Sequence, residues 1–159
     1  MNRMFVLALI TAASATACVQ AQRPYRFQSG ETEDAVGALA RSFSAAGLDP
    51  ELVDARTGIV QTAWATTHNF CARAEGNGKV VQRYTATLSP AGGTTDVVLR
   101  LDAKCCDAST VEFADVQVRS GCVQMTHIFD FQQEEFDRLG ARIQSELGGS
   151  SSMTSSISL

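Results

Sequence analysis

The stretch Asp96-Val97-Val98-Leu99-Arg100-Leu101-Asp102-Ala103-Lys104-Cys105 carries the clearest structural pattern in this chain. Apolar residues at positions 97, 99, 101, 103 and 105 alternate with charged residues at positions 96, 100, 102 and 104. Because successive side chains of a β-strand point to opposite faces of its sheet, this alternation predicts a strand with one buried and one solvated face. The stretch therefore predicts an antiparallel sheet with a hydrophobic core on one side.

Further strands are predicted before and after this one. Leu52-Val53 and residues 59–64 flank a turn at residues 54–58, and this pattern is typical of a hairpin. In residues 80–88, apolar side chains share one parity, which predicts another half-buried strand. Two more strands are predicted at residues 111–118 and 122–128.

Two amphipathic helices are predicted, one before the strands and one after them. The first begins near Thr32, has apolar residues at the spacing of one helix face, and ends at Gly47 and Pro50. The second begins at Asp130, whose carboxylate is predicted to cap the helix with Gln133 three residues later. The order of helix, strands and helix predicts an α+β fold in two layers, with both helices packed on one face of an antiparallel sheet. The residues expected to share its core are Val36, Leu39, Phe43, Val97, Leu99, Leu101, Phe136, Leu139 and Ile143.

The N-terminus has the features of an export signal. Arg3 precedes an apolar run at residues 5–10, and Ala15-Thr16-Ala17 leads directly into Cys18. The run is too short to span a bilayer, so it predicts a removable signal peptide. The junction resembles the lipobox of bacterial lipoproteins, in which the cysteine after the cleaved bond is acylated. Ala15 stands where these lipoproteins usually carry Leu, and the alternative is an ordinary secretory signal that is cut at the same bond.

These features divide the chain into four predicted segments. Residues 1–17 are a signal peptide, residues 18–31 are the lipidated Cys18 and a short tether, residues 32–148 are a single α+β domain, and residues 149–159 are a disordered Ser-rich tail. Within the tether, Tyr25-Arg26-Phe27 could form a short strand. In lipoproteins of Gram-negative type, Asp after the lipidated cysteine retains the protein at the inner membrane. Val19 stands at that position here, so the resemblance implies a lipid anchor at the periplasmic face of the outer membrane.

The chain has five cysteines. If Cys18 carries lipid, the remaining four can close two disulfides, which are common in exported proteins. These disulfide candidates are Cys71, Cys105, Cys106 and Cys122. Neighbours on a strand face opposite ways, so Cys105 and Cys106 are not expected to bond to each other. One of them is expected to pair with Cys71 and the other with Cys122, and either assignment remains open.

The same cysteines, together with His68 and His127, form the alternative of a metal site. Their residue types suit zinc, but the paired C-x-x-C spacing of common zinc sites is missing from the sequence. A redox role is not favoured either, because no C-x-x-C motif occurs. We therefore predict structural disulfides, with no metal and no cofactor.

Charge and motif content argue against several functional classes. The net charge is −4, and no cluster of Lys and Arg is present, so nucleic acid is not an expected partner. The sequence contains no G-x-S-x-G, H-E-x-x-H or paired-carboxylate motif. Trp64 is interpreted as a core or rim residue, with stacking on a ligand as the alternative. The sequence therefore predicts a protein that is not an enzyme.

Residues 36–101 carry a family resemblance. An amphipathic helix runs into Gly47-Leu48, and Val53-Asp54, Gly58-Ile59-Val60, Trp64 and Arg83-Tyr84 follow it. This pattern resembles the helix-grip domains of the BamC family of outer-membrane assembly lipoproteins. The resemblance implies a non-enzymatic accessory of the outer envelope that acts through protein contacts.

We therefore expect an envelope lipoprotein that is attached to the membrane by its N-terminal lipid and binds envelope protein partners. The alternative is a small carrier of a hydrophobic ligand, because a sheet and two helices can enclose a cavity. A cysteine-based metal-binding protein is a third and less favoured hypothesis. An apolar cavity between the sheet and the last helix would favour the carrier, whereas a filled core with an exposed apolar patch would favour the interaction module.

Overall fold

The computed structural model describes residues 19–30, 34–73, 76–107 and 121–148 of the chain. The fold is α+β, as predicted, and these ranges contain a mostly antiparallel sheet and two helices. The predicted signal peptide, Cys18, the predicted strand at 111–118 and the predicted tail at 149–159 lie outside the described residues. The elements in chain order are β1 (Val19–Ala21), β2 (Tyr25–Gly30), α1 (Ala35–Ala45), β3 (Pro50–Asp54), β4 (Ile59–Thr62), β5 (Ala65–Arg73), β6 (Gly76–Ala91), β7 (Thr94–Asp107), β8 (Cys122–Gln124), β9 (His127–Phe129) and α2 (Asp130–Glu146).

A long hairpin of β6 and β7 forms the centre of the main sheet. The two strands pair without interruption from Gly78 opposite Asp107 to Ala91 opposite Thr94. Gly92 and Gly93 connect them and have φ angles of 58° and 89°. Two-residue hairpin turns of type I′ require positive φ at both positions, which glycine adopts without a steric penalty.

The other strands of the main sheet are added at the two ends of this hairpin. Near the Gly92-Gly93 turn, β2 pairs with β7, and β4 pairs with β6 and carries β3 at its outer edge. At the opposite end, β5 pairs with β6 and β8 pairs with β7. A separate two-stranded sheet joins β1 to β9.

One hydrophobic core contains side chains from both helices and from β7. Leu99 and Leu101 of β7 are buried in it, as the alternation in the sequence predicts. Leu39 and Phe43 enter from α1, while Phe136 and Ile143 enter from α2. Val36 and Leu139, also predicted for the core, are partly buried and pack against it. Because Val97, Leu99 and Leu101 are all buried, the predicted core-facing side of β7 is confirmed.

The tether predicted for residues 18–31 is wrong for residues 19–30, which form β1, β2 and the connection between them, and only the possible strand at Tyr25-Arg26-Phe27 agrees with the structure. Val19 pairs with Phe129, and β2 pairs with β7 along its whole length. Phe27 is 2% exposed and lies in the core, with Tyr25 packed against it. Burial of these aromatic side chains outweighs the polarity of the surrounding residues, because each large aromatic ring removes extensive apolar surface from water.

Two further boundaries differ from the prediction. The expected strand at residues 122–128 is divided into β8 and β9, which pair with different partners. Asp130 was expected to cap α2, but it is the first residue of the helix. The side chain of Gln132 caps the start instead, because its Oε1 accepts a hydrogen bond of 3.1 Å from the backbone N–H of Phe129. Gln133 binds the backbone of Arg23 through its amide, with distances of 3.1 and 3.2 Å.

Candidate functional site

Two disulfides lie at the end of the sheet formed by β5 and β8. Cys71 is bonded to Cys105, and Cys106 is bonded to Cys122. Cys71 and Cys105 belong to the hydrophobic core, whereas the adjacent Cys106 is buried outside that cluster. The expectation of two disulfides is confirmed, and the strand parity separates Cys105 from Cys106 as predicted.

The residues of the alternative metal site are not brought together as ligands. Cysteines in disulfides are not thiolates, and thiolates are the form that binds zinc. His68 and His127 are exposed on β5 and β9, and Nδ1 of His127 lies 3.0 Å from Oγ1 of Thr126. Within the described ranges, no group of three or more His, Cys, Asp or Glu side chains is placed to hold a metal ion.

Arg73 of β5 connects β7 to the residue before β8 at this end of the sheet. Its Nε lies 2.8 Å from a carboxylate oxygen of Asp107, and its Nη1 donates to the carbonyl oxygens of Cys105 and Gly121. Gly78 leaves space for these contacts, because a Cβ atom there would lie 2.9 Å from Cδ of Arg73 and 3.0 Å from Sγ of Cys105. The charge of Arg73 is therefore largely engaged within the protein.

An open groove of about 480 Å³ lies beside the Cys71–Cys105 disulfide. Its floor and walls are largely apolar, and Val123 is 61% exposed on one side of it. The lining residues are Cys71, Ala72, Arg73, Cys105, Val123, Gln124, Met125 and Phe129. An apolar depression of this size can receive a hydrophobic ligand or the side chains of a partner.

Two aromatic rings extend this apolar surface to the start of α2. The rings of Phe129 and Phe131 are stacked, with centroids 5.5 Å apart, and Phe131 is 44% exposed. Phe129 also lies opposite Val19 in the pairing of β1 and β9. The sequence patterns did not predict this surface, because its residues lie on β8, on β9, between them and on α2, and no single periodicity spans these elements.

Trp64 interacts with two cations of its own chain. Cζ of Arg83 lies 4.6 Å from the ring centroid, and Nζ of Lys104 lies 4.7 Å from it. Arg83 is held in place by Asp102, whose carboxylate oxygen is 3.1 Å from Nε, and by Gln61, whose Oε1 is 3.1 Å from Nη1. Cation–π contacts of this kind favour the interpretation of Trp64 as a rim residue over a ligand-stacking one.

The two tyrosines of the core are held in their neutral form. Burial raises the pKa of Tyr84 to about 12, and the nearby carboxylate of Glu135 adds to the rise. Burial and the charge of Asp137 also raise the pKa of Tyr25, whose O–H donates to Oε1 of Gln144 at 2.7 Å. Both hydroxyl groups therefore act as neutral hydrogen-bonding groups at physiological pH.

A scan against protein-family models finds no matching family, and a search of curated proteins finds no similar protein. Among the helices of the described ranges, none combines the length and the apolar character needed to cross a membrane.

Proposed function

We propose that this chain is a non-enzymatic lipoprotein of the cell envelope whose α+β domain is an interaction module. The observation that carries the proposal is the contrast between a filled core and exposed large apolar side chains. Leu99, Phe136 and Ile143 are almost fully buried, whereas Phe70, Val123 and Phe131 are 62%, 61% and 44% exposed. Val123 and Phe131 adjoin one apolar surface through Phe129, whereas Phe70 lies on the other face of the sheet. Large exposed apolar side chains on a small domain are typical of contact surfaces.

The proposed arrangement has two layers, with both helices packed on one face of the sheet. Leu39 of α1 and Phe136 of α2 share a core with Leu99 of β7, which supports this arrangement. The two helices also contact each other, and Nη2 of Arg142 on α2 donates to the carbonyl oxygen of Ala45 on α1 at 2.9 Å. On the opposite face, Phe70 of β5 is 62% exposed and offers apolar area to a partner.

The proposed anchor is a lipid on Cys18 at the periplasmic face of the outer membrane. The apolar run at residues 5–10 and the Ala15-Thr16-Ala17-Cys18 junction support it. Val19, the residue after Cys18, pairs with Phe129, which supports an anchor close to the folded domain. The domain would therefore lie directly at the membrane surface.

A small carrier of a hydrophobic ligand is the second candidate. The groove beside Val123, Met125 and Phe129 supports it, since its volume of about 480 Å³ lies in the range of small-molecule sites. The ligand would be apolar, because most of the lining side chains offer no hydrogen-bonding group. Native mass spectrometry of the gently purified protein tests this candidate, and a bound apolar molecule that is lost in Val123→Ser would favour it.

Replacement of the lipidated residue tests the anchor. We expect Cys18→Ser to move the protein from the membrane fraction to a soluble fraction of the envelope. Ala141→Ser, at an exposed position of α2, is the matched control and should leave the fractionation unchanged. A Cys18→Ser protein that remains in the membrane with unchanged processing would contradict the lipid anchor.

The interaction module is tested by affinity purification of the native protein from membranes, followed by mass spectrometry. We expect a specific envelope protein to be recovered with the wild type and lost with Phe70→Ser. Thr66→Ser on the same strand is the control, since it alters an exposed side chain without removing apolar area comparable to that of a phenyl ring. Recovery of the same proteins with all three chains would argue against a role of this surface.

A further inference from the structure

The apolar side chains at the start of α2 lie next to the N-terminal strand. We call Val123, Met125, Phe129 and Phe131 the anchor-end surface. Val123, Met125 and Phe129 line one groove, and Phe131 stacks on Phe129. Val19 is paired opposite Phe129, so the first described residue of the chain adjoins this surface.

The covalent chain limits how far a lipid on Cys18 can lie from this surface. Consecutive Cα atoms are about 3.8 Å apart across a trans peptide, and paired residues of an antiparallel ladder are about 5 Å apart. A lipid on the residue that precedes Val19 would therefore be attached within about 10 Å of the Cα atom of Phe129. Because β1 is hydrogen-bonded to β9, the described chain begins in a strand beside this surface, and a lipid on Cys18 would hold the surface close to the bilayer.

We propose that the anchor-end surface is a membrane-contact surface, with Phe131 and Val123 placed in the interfacial layer of the bilayer that holds the lipid of Cys18. This inference rests on the proposed function. Aromatic side chains favour the boundary between headgroups and acyl chains. A lipid chain and a second apolar contact together hold a protein at a membrane in a defined orientation.

The charges around this surface determine the class of lipid. Asp130 and Glu134 accompany Phe131 on the first turns of α2. Arg73, the cation of the groove, is already paired with Asp107. The contact therefore depends on burial of apolar area in a zwitterionic bilayer, and added salt should not weaken it, unlike the attraction of a basic patch to anionic lipid.

The far end of the central hairpin provides a matched control position. Val53 is 50% exposed on β3. It is paired with Val60 of β4, which is paired with Ala86 of β6, so these three residues form one row across the sheet. In another row, Val123 of β8 is paired with Cys105 of β7, which is paired with Val80 of β6. Six residues along β6 separate the two rows, which is a distance of about 20 Å.

Tryptophan quenching in vesicles tests the inference. The lipid-bearing protein is reconstituted in phosphatidylcholine vesicles with brominated acyl chains, and Trp64→Phe removes the native fluorophore. In this background we expect about twofold quenching of Phe131→Trp and nearly none of Val53→Trp, because only interfacial side chains reach the bromine atoms. Val123→Trp is a second reporter, and it should also be quenched.

The quenching of Phe131→Trp and Val123→Trp should persist when salt is raised from about 0.1 M to about 1 M. Equal quenching at Val53, or none at positions 131 and 123, would overturn the contact surface. Quenching that requires anionic lipid would overturn its zwitterionic character. Mass spectrometry of the N-terminal peptide separates these failures from that of the anchor, because a peptide without lipid on Cys18 refutes the proposed function and the inference together.

Discussion

The ring of Tyr25 on β2 packs directly against the backbone of Gly140 on α2, so that a methyl group added to Gly140 would overlap with the ring. The hydroxyl group of the same tyrosine donates to Gln144, one turn further along the helix. Glycine inside a helix costs about 1 kcal/mol relative to alanine. The contact between Tyr25 and α2 accounts for the presence of glycine at this position.

We predict that Gly140→Ala lowers the free energy of unfolding by about 1 to 3 kcal/mol, because the added methyl group has no space. In a Tyr25→Ala background, the same change should raise it by up to about 1 kcal/mol through helix propensity. Urea denaturation of the four chains measures both effects. A stabilising Gly140→Ala in the presence of Tyr25 would contradict the packing.

Leu99 is expected to be a major contributor to the core. It is 1% exposed, and Leu99→Ala should cost about 2 to 5 kcal/mol, the range for buried leucines. Arg100→Ala, at the next and exposed position of β7, is the control and should change stability by about 0.5 kcal/mol or less. Similar losses for both variants would show that the two faces of β7 are misassigned.

The two disulfides should differ in their contribution to stability. The Cys71–Cys105 bond closes a loop with a sequence separation of 34 residues, and the Cys106–Cys122 bond closes one with a separation of 16 residues. By loop entropy, the Cys71–Cys105 bond contributes about 4 kcal/mol and the Cys106–Cys122 bond about 3 kcal/mol. Thermal unfolding of the two double Cys→Ser variants compares them, and peptide mapping after alkylation verifies the pairing. Free Cys71 or Cys122 in the native protein, together with bound zinc, would instead support the metal site.

Tyr84 should make the protein sensitive to alkaline pH. Its pKa is about 12 in the folded protein and 10.0 ordinarily, so the folded state holds the proton more tightly. The stability that this difference contributes is complete below pH 10 and is lost as the pH rises toward 12. Between pH 9 and 11, the wild type should lose about 1 kcal/mol more than Tyr84→Phe. An equal loss of stability in the wild type and in Tyr84→Phe would contradict the raised pKa. Absorbance titration of tyrosinate measures the same pKa directly.

Local patterns predicted a large part of the fold. The alternation from Asp96 to Cys105 predicted β7 with its buried face, and the apolar spacing around Phe43 and Phe136 predicted α1 and α2. The hairpin of β3 and β4 was also predicted. These elements are readable because strand and helix periodicities are properties of the chain alone. The strand β5 was missed, because its polar residues carry no such period.

The sequence by itself determined that Cys105 and Cys106 face opposite sides of a strand. Only the tertiary structure decided that Cys71 bonds to Cys105, and that residues 19–30 join two sheets instead of forming a tether. It also placed Phe131 beside the N-terminal strand. The physical reason is that local periodicity reports which face a residue occupies, whereas strand partners are selected by the burial and hydrogen bonding of segments that are distant in the chain.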